Sequence, residues 1–172
     1  FDAMNFRFLF DPKRQLFAIG YRLADADGAA RLDPSFYDLL ASEARLASFL
    51  AIAKCDVPEM HWFRLGRSLA PVKGGAALIS WSGSLYEYLM PSIVLREPHG
   101  SLLDETCRLA VSRQIEYGES RGVPWGISES AFNVRDLALT YQYSNFGVPG
   151  LGLKRGLEQD LVIAPYATSL AS

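Results

Sequence analysis

Histidine and cysteine are scarce in this 172-residue chain, two of each, and that scarcity removes several kinds of chemistry. Cys55 and Cys107 lie far apart and form no CxxC pair, and His61 and His99 stand outside any ligand-spaced pair, so no metal site is expected. Two thiols can close one disulfide, but so sparse a count reads as reduced and cytosolic. No apolar run reaches membrane-spanning length, because Arg, Glu or Asp interrupts each one. Lys and Arg form no dense stripe, which argues against a nucleic-acid partner. The glycine-rich run over 147–156 lacks both the GxxxxGK and the GxGxxG order, so it is no phosphate cradle. Ser82 and Ser84 lack the GxSxG elbow of a hydrolase nucleophile. No internal repeat and no low-complexity tract is present.

What remains is ordinary globular material: 49% hydrophobic, 21% charged, net charge −2. The length suits one core rather than two independent domains. The chain opens at Phe1 with neither an initiator Met nor a signal peptide. It closes at 164–172 on what reads as a helix start, with Pro165 in the first turn and Tyr166 and Leu170 four residues apart. The sequence is therefore expected to be a piece of something larger.

Phe6, Phe8 and Phe10, the Asp11-Pro12 break and the run Leu16–Tyr21 predict a β-hairpin. A loop is expected over 24–30. Asp33-Pro34 predicts a helix start, and the helix is expected to run to about Lys54 with Phe36, Leu39, Leu40, Leu46, Ala47 and Leu50 as its buried stripe. Glu43 falls on that stripe, where a charged side chain must meet a partner, a water-filled cleft or a proton. A short helix is expected to end at Met90. Another is expected from the Ser101/Asp104 capping box to about Gly118, with Leu103, Cys107, Ala110, Val111 and Ile115 facing inward. The run 137–143 reads as strand or extended loop. The expected architecture is mainly α, with long loops that carry function.

Glu129 is the most unusual acid. It stands between Ser128 and Ser130, just after Trp125, Gly126 and Ile127, rather than among the Lys, Gln and Asp of a solvated face. Such neighbours exclude water and raise a carboxyl pKa into the range useful for proton transfer. Glu43 and Glu87 also sit among apolar or aromatic residues. Paired carboxylates with aromatics nearby suggest carbohydrate chemistry: one acid protonates the leaving oxygen, the other attacks the anomeric carbon or activates water. The bland alternative for each acid is a buried carboxylate tied to an arginine or a backbone amide. Arg45 is expected on the far side of the helix from Glu43. Trp62, Trp81, Tyr86, Tyr88, Trp125, Tyr141, Tyr143 and Phe146 could stack on sugar rings, or simply fill the core.

The runs Asp38–Phe49, Trp81–Pro91 and Trp125–Ala131 together resemble the glucoamylase-like domain of cyclic β-1,2-glucan synthases. The opening hairpin and the run Tyr141–Gly152 resemble the same family, so the likeness covers nearly the whole chain. It implies part of an (α/α)6 toroid with an N-terminal β-hairpin, truncated at its C-terminus. It also implies a soluble module of a very large bacterial inner-membrane protein, on the cytoplasmic face, alongside glycosyltransferase and phosphorylase-like modules. The partner would be a β-1,2-glucan chain, with no cofactor. By position in the family's motifs, Glu43 would be the nucleophile and Glu129 the acid/base. Glu87, Trp81, Tyr86, Trp125, Ser128, Tyr141, Tyr143 and Asn145 would contact substrate. The activity implied is retaining transglycosylation that closes the glucan ring, which expects the two carboxyl groups roughly 5–5.5 Å apart. Plain β-1,2-glucan hydrolysis and a non-catalytic glucan-holding role are the alternatives.

Overall fold

The structure, a computed structural model, describes residues 3–26 and 28–171. Phe1 at the opening, Asp27 within the expected loop and Ser172 at the end lie outside them. The chain divides into two compact units, Phe1–Leu40 with Ala44–Gly66, and Ala41–Glu43 with Arg67–Ser172.

In the first unit, β1 (Phe10–Asp11) pairs antiparallel with β2 (Leu16–Ala18). This is the hairpin the alternating phenylalanines announce, turned by Asp11, whose carboxylate accepts from the Lys13 and Arg14 amides. A second hairpin joins β3 (Tyr21–Arg22) to β4 (Arg31–Leu32). The chain then returns as β5 (Phe36–Tyr37), antiparallel to β2 with Phe17 opposite Tyr37. Helices α1 (Arg45–Ala53) and α2 (Met60–Arg64) follow. Phe17, Ala51 and Val57 form the core, with Phe6, Leu9, Phe10 and Ile52 against it. His61 is fully buried and bonds to the Gln15 carbonyl and the Ser48 hydroxyl.

The expected helix over 33–54 does not form as one piece. Asp33 Oδ1 accepts from the Ser35 amide at 2.8 Å, an Asx turn rather than a helix N-cap. The Ile19 amide donates to Ser35 O, so sheet pairing has already claimed the segment that follows Pro34. The helix begins only at Arg45 and buries Arg45, Ser48 and Ala51. Its inward face is therefore one residue away from the Leu46, Ala47 and Leu50 stripe, and Arg45 lies inside rather than on an outer side. Glu43 precedes the helix and is not on its stripe.

The second unit opens with the hairpin β6 (Leu69–Val72)/β7 (Gly75–Leu78). It continues through α3 (Leu85–Leu89), α4 (Leu102–Arg121), the hairpin β8 (Ser130–Arg135)/β9 (Tyr141–Ser144) and α5 (Pro165–Ser169). Ser101 Oγ caps α4 by accepting from the Asp104 amide at 3.2 Å. The buried residues of α4 are Thr106, Leu109, Ala110, Gln114, Tyr117 and Gly118. Cys107 is half-buried, its sulfur 3.3 Å from both the Tyr88 carbonyl oxygen and a Glu97 carboxylate oxygen.

Polar residues lie on that face because irregular backbone packs against it. Thr106 Oγ1 accepts from the Leu78 amide. Gln114 accepts from the Ile127 amide at 2.8 Å, and its NH2 donates to Ile127 O at 2.9 Å and Gly83 O at 3.3 Å. Buried main chain outside helices and ladders needs such partners.

A mainly α toroid fragment is thus not what forms. Among the described residues there are five α-helices, of which α4 alone exceeds nine residues, and nine short strands in small antiparallel sheets. Aromatic and β-branched residues between Pro and Gly breaks favour hairpins over long helices. No helix among the described residues is long and apolar enough to cross a membrane.

Gln114→Leu keeps the side-chain bulk but strips the Ile127 amide of its partner inside the protein. It is expected to cost about 2–4 kcal/mol, measured as a lower urea midpoint with an unchanged slope.

Candidate functional site

Ser80, Ser82 and Ser84 alternate along the segment that leads into α3, and their hydroxyls converge on one buried carboxylate. Glu87 Oε2 accepts from Ser80 Oγ at 2.9 Å, Ser82 Oγ at 2.6 Å, Ser84 Oγ at 3.1 Å and the Ser84 amide at 3.0 Å. Oε1 accepts from the Trp81 amide at 3.0 Å and the Ser82 amide at 3.1 Å. Ser84 and Glu87 form the capping box that starts α3. Of the three acids, Glu87 is the one whose surroundings most resemble the bland alternative, a carboxylate held by backbone amides, here joined by serine hydroxyls.

Glu43 and Glu129 are different. Both are half-buried, and the donors are fewer. Burial raises the Glu43 pKa, and the charges of Glu87 and Glu129 raise it further against the Ser42 hydroxyl, which donates at 3.2 Å. Burial likewise raises Glu129, opposed by a hydrogen bond from Tyr143 and reinforced by the Glu87 charge. Tyr143 is in turn pushed up to about 12 by burial and by Glu129, with Tyr166 and Tyr86 adding to it. Glu43, Glu87 and Glu129, spread over 87 positions of sequence in the second unit, therefore act on one another electrostatically. That requires them to share a neighbourhood.

Main-chain contacts tie further residues to Glu129. Ser128 Oγ accepts from the Tyr86 amide at 3.0 Å and lies 3.1 Å from the Tyr166 hydroxyl. That hydroxyl donates to the Glu129 carbonyl at 2.8 Å, and the Tyr86 and Tyr166 rings meet edge to face. Tyr86, Ser128 and Tyr143 thus gather at Glu129. The Trp81 ring is 56% exposed, while its amide serves Glu87. Tyr141 lies under the Arg135 guanidinium, which also donates to its hydroxyl. Trp125 is half-buried beside Gly118, and the Asn145 carbonyl takes the Lys154 ammonium. The described partners of Tyr141, Trp125 and Asn145 are therefore not the three acids.

Tyr166 was legible in the sequence only as a helix-register residue. Its partnership with Glu129 spans 37 positions and left no local signal. Among the described residues, no group of three or more His, Cys, Asp or Glu could hold a metal ion.

Two acids with raised pKa values, one of them beside tyrosine hydroxyls, have the character of groups that exchange protons, as acid/base and glycosyl-transfer sites require. No protein-family model matches the chain. Over 169 residues, 98% of its length, the chain is 58% identical to a protein of Rhizobium meliloti (strain 1021), Cyclic beta-(1,2)-glucan synthase NdvB. It spans 6% of that protein's length.

The raised Glu43 pKa has a signed consequence for stability. A carboxyl raised above its ordinary 4.5 stabilises the fold fully below that value, and the contribution is lost as pH rises through the folded pKa. Glu43→Gln is therefore expected to raise the melting temperature at pH 8 relative to the parent, and to leave it unchanged at pH 4. Glu87→Gln turns an NH2 group toward donors and is expected to destabilise by about 3–5 kcal/mol. Calorimetry of both variants at the two pH values checks the contrast; equal effects would sink it.

Proposed function

We propose that the chain is part of a retaining transglycosylase module, one piece of a larger polypeptide, that closes linear β-1,2-glucan into a ring. What supports this reading is that Glu43 and Glu129 are both raised by burial and by the charge of Glu87, with Glu129 adding to the rise at Glu43. The 58% identity to a segment of a cyclic glucan synthase supports the substrate.

In the reaction one carboxylate attacks the anomeric carbon while the other acid protonates the departing 2-oxygen, leaving a glycosyl ester on the protein. The second residue, now a base, takes the proton from the chain's own non-reducing-end 2-hydroxyl. That oxygen displaces the ester and closes the ring, so no water is consumed. Exposed Trp81 and Tyr143 would offer faces to the sugars, and Tyr86, Trp125, Ser128, Tyr141 and Asn145 would line the path. Glu87 would act through the order it imposes on this segment.

By position in the family's motifs, Glu43 would be the nucleophile and Glu129 the acid/base. Alanine variants with azide decide the roles. The variant lacking the nucleophile forms a glycosyl azide of inverted configuration, and the variant lacking the acid/base forms one of retained configuration.

Glu43→Gln and Glu129→Gln are each expected to reduce cyclisation by the full-length polypeptide at least about a thousandfold. Measuring cyclic product from linear β-1,2-glucan tests this. Unimpaired cyclisation in both variants would leave only a glucan-holding role, and exclusively linear products from the parent would mean hydrolysis.

A further inference from the structure

Residues 128 and 129 lie between two points of pairing. Ile127 bridges to Ile163, and the β8/β9 ladder starts only at Ser130. The main chain of Glu129 therefore has no ladder to fix it, and its carbonyl is met by a side chain. On the other side, Tyr86 occupies the first turn of α3, where a helix leaves its amides without internal partners. Ser128 Oγ accepts from that amide. The Tyr166 hydroxyl stands 3.1 Å from Ser128 Oγ and 2.8 Å from the Glu129 carbonyl oxygen.

Each hydroxyl has one proton to give. The Glu129 carbonyl can only accept, so the Tyr166 proton goes there. Ser128 then gives its own proton to the Tyr166 oxygen while accepting from Tyr86. The result is a directional chain: Tyr86 amide to Ser128, Ser128 to Tyr166, Tyr166 to the Glu129 carbonyl. It starts on α3, which is fixed by the buried Glu87 carboxylate, and it ends on the main chain of the candidate catalytic acid. Tyr166 is 43% exposed, so its hydroxyl could be met by water at no cost; it turns inward instead.

We infer that Tyr166 is a positioning residue: through the Glu129 carbonyl and Ser128 it sets where the Glu129 carboxyl stands relative to α3. This rests on the reading of Glu129 as one of the reacting pair. A catalytic group held by a hydrogen-bonded support loses rate when it drifts, without losing substrate.

The test measures cyclisation of linear β-1,2-glucan by the full-length polypeptide. Tyr166→Phe removes only the hydroxyl and keeps the edge contact with Tyr86. It is expected to lower kcat by about threefold to tenfold, with KM and the melting temperature unchanged. Ser128→Ala is expected to lower kcat to a similar extent, with a lower melting temperature as well, because it also strips the Tyr86 amide of its acceptor. The double variant should be no slower than the slower single, because both substitutions cut one chain. A parental kcat in Tyr166→Phe, a rise in KM alone, or losses that simply add would each overturn the inference. Glu129→Gln separates the two levels. If it abolishes cyclisation while Tyr166→Phe keeps its kcat, only the role of Tyr166 falls; if it leaves cyclisation intact, the catalytic pair falls with it.

Discussion

The Glu87 carboxylate is the interaction on which the second unit depends. A buried anion is tolerated only where donors replace its water, and here they come from three alternating serines and the amides between them. Satisfying that one group fixes the course of residues 80–84 and starts α3. The same segment is pressed from behind. A Cβ at Gly147 would land on the Ser82 carbonyl oxygen, and one at Gly152 would come 2.5 Å from the Ser82 carbonyl carbon. Tyr88, one turn into α3, bonds to the carbonyls of Leu78 and Leu151 and accepts from the Ser80 amide. Helix, strand end and glycine loop are thus tied at one point, and the tie is polar.

That charge has a second effect at a distance. It raises the pKa of both Glu43 and Glu129. An acid fully occupied by its own donors therefore tunes two acids that are not. The structural carboxylate and the candidate chemical ones are not separate subjects, because removing the first would both loosen α3 and lower the proton affinity of the others.

Local signals in the sequence carried part of this. The phenylalanine alternation gave the first hairpin, Ser101 the cap of α4, and Pro165 the start of α5. The setting of Glu129 among small and apolar residues correctly marked an acid whose pKa is raised. Glu43 was singled out through a helical stripe that does not exist; it is half-buried for another reason, as part of a segment that belongs to the second unit. The Asx turn at Asp33 and the pairing of β5 with β2 overrode a pattern that reads equally well as a helix start. The register of α4 was missed for a related cause. Apolar spacing marks the face that meets other side chains, whereas this helix meets bare backbone and uses Thr106 and Gln114 to do so. The Ser84/Glu87 capping box was present as a four-residue motif, yet the further convergence of Ser80 and Ser82 on the same oxygen is visible only in three dimensions.

The stabilising and destabilising parts of the second unit are divided accordingly. Burying Glu43 and Glu129 near Glu87 works against folding at neutral pH, where three carboxylates prefer to be charged and apart. What holds them together is chemistry of the opposite kind: the serine cradle, the Gln114 clamp on Ile127 and the hydroxyl chain ending at Glu129, each matching a donor to an acceptor. Apolar packing alone could bury these acids, but it would leave their positions loose and their protons undirected. A polar framework places them by bond direction, and this explains why Ser, Thr, Gln and Tyr are buried in this unit alongside its Leu and Ile. Burying these acids costs stability at neutral pH, and the charge of Glu87 adds to that cost at both Glu43 and Glu129.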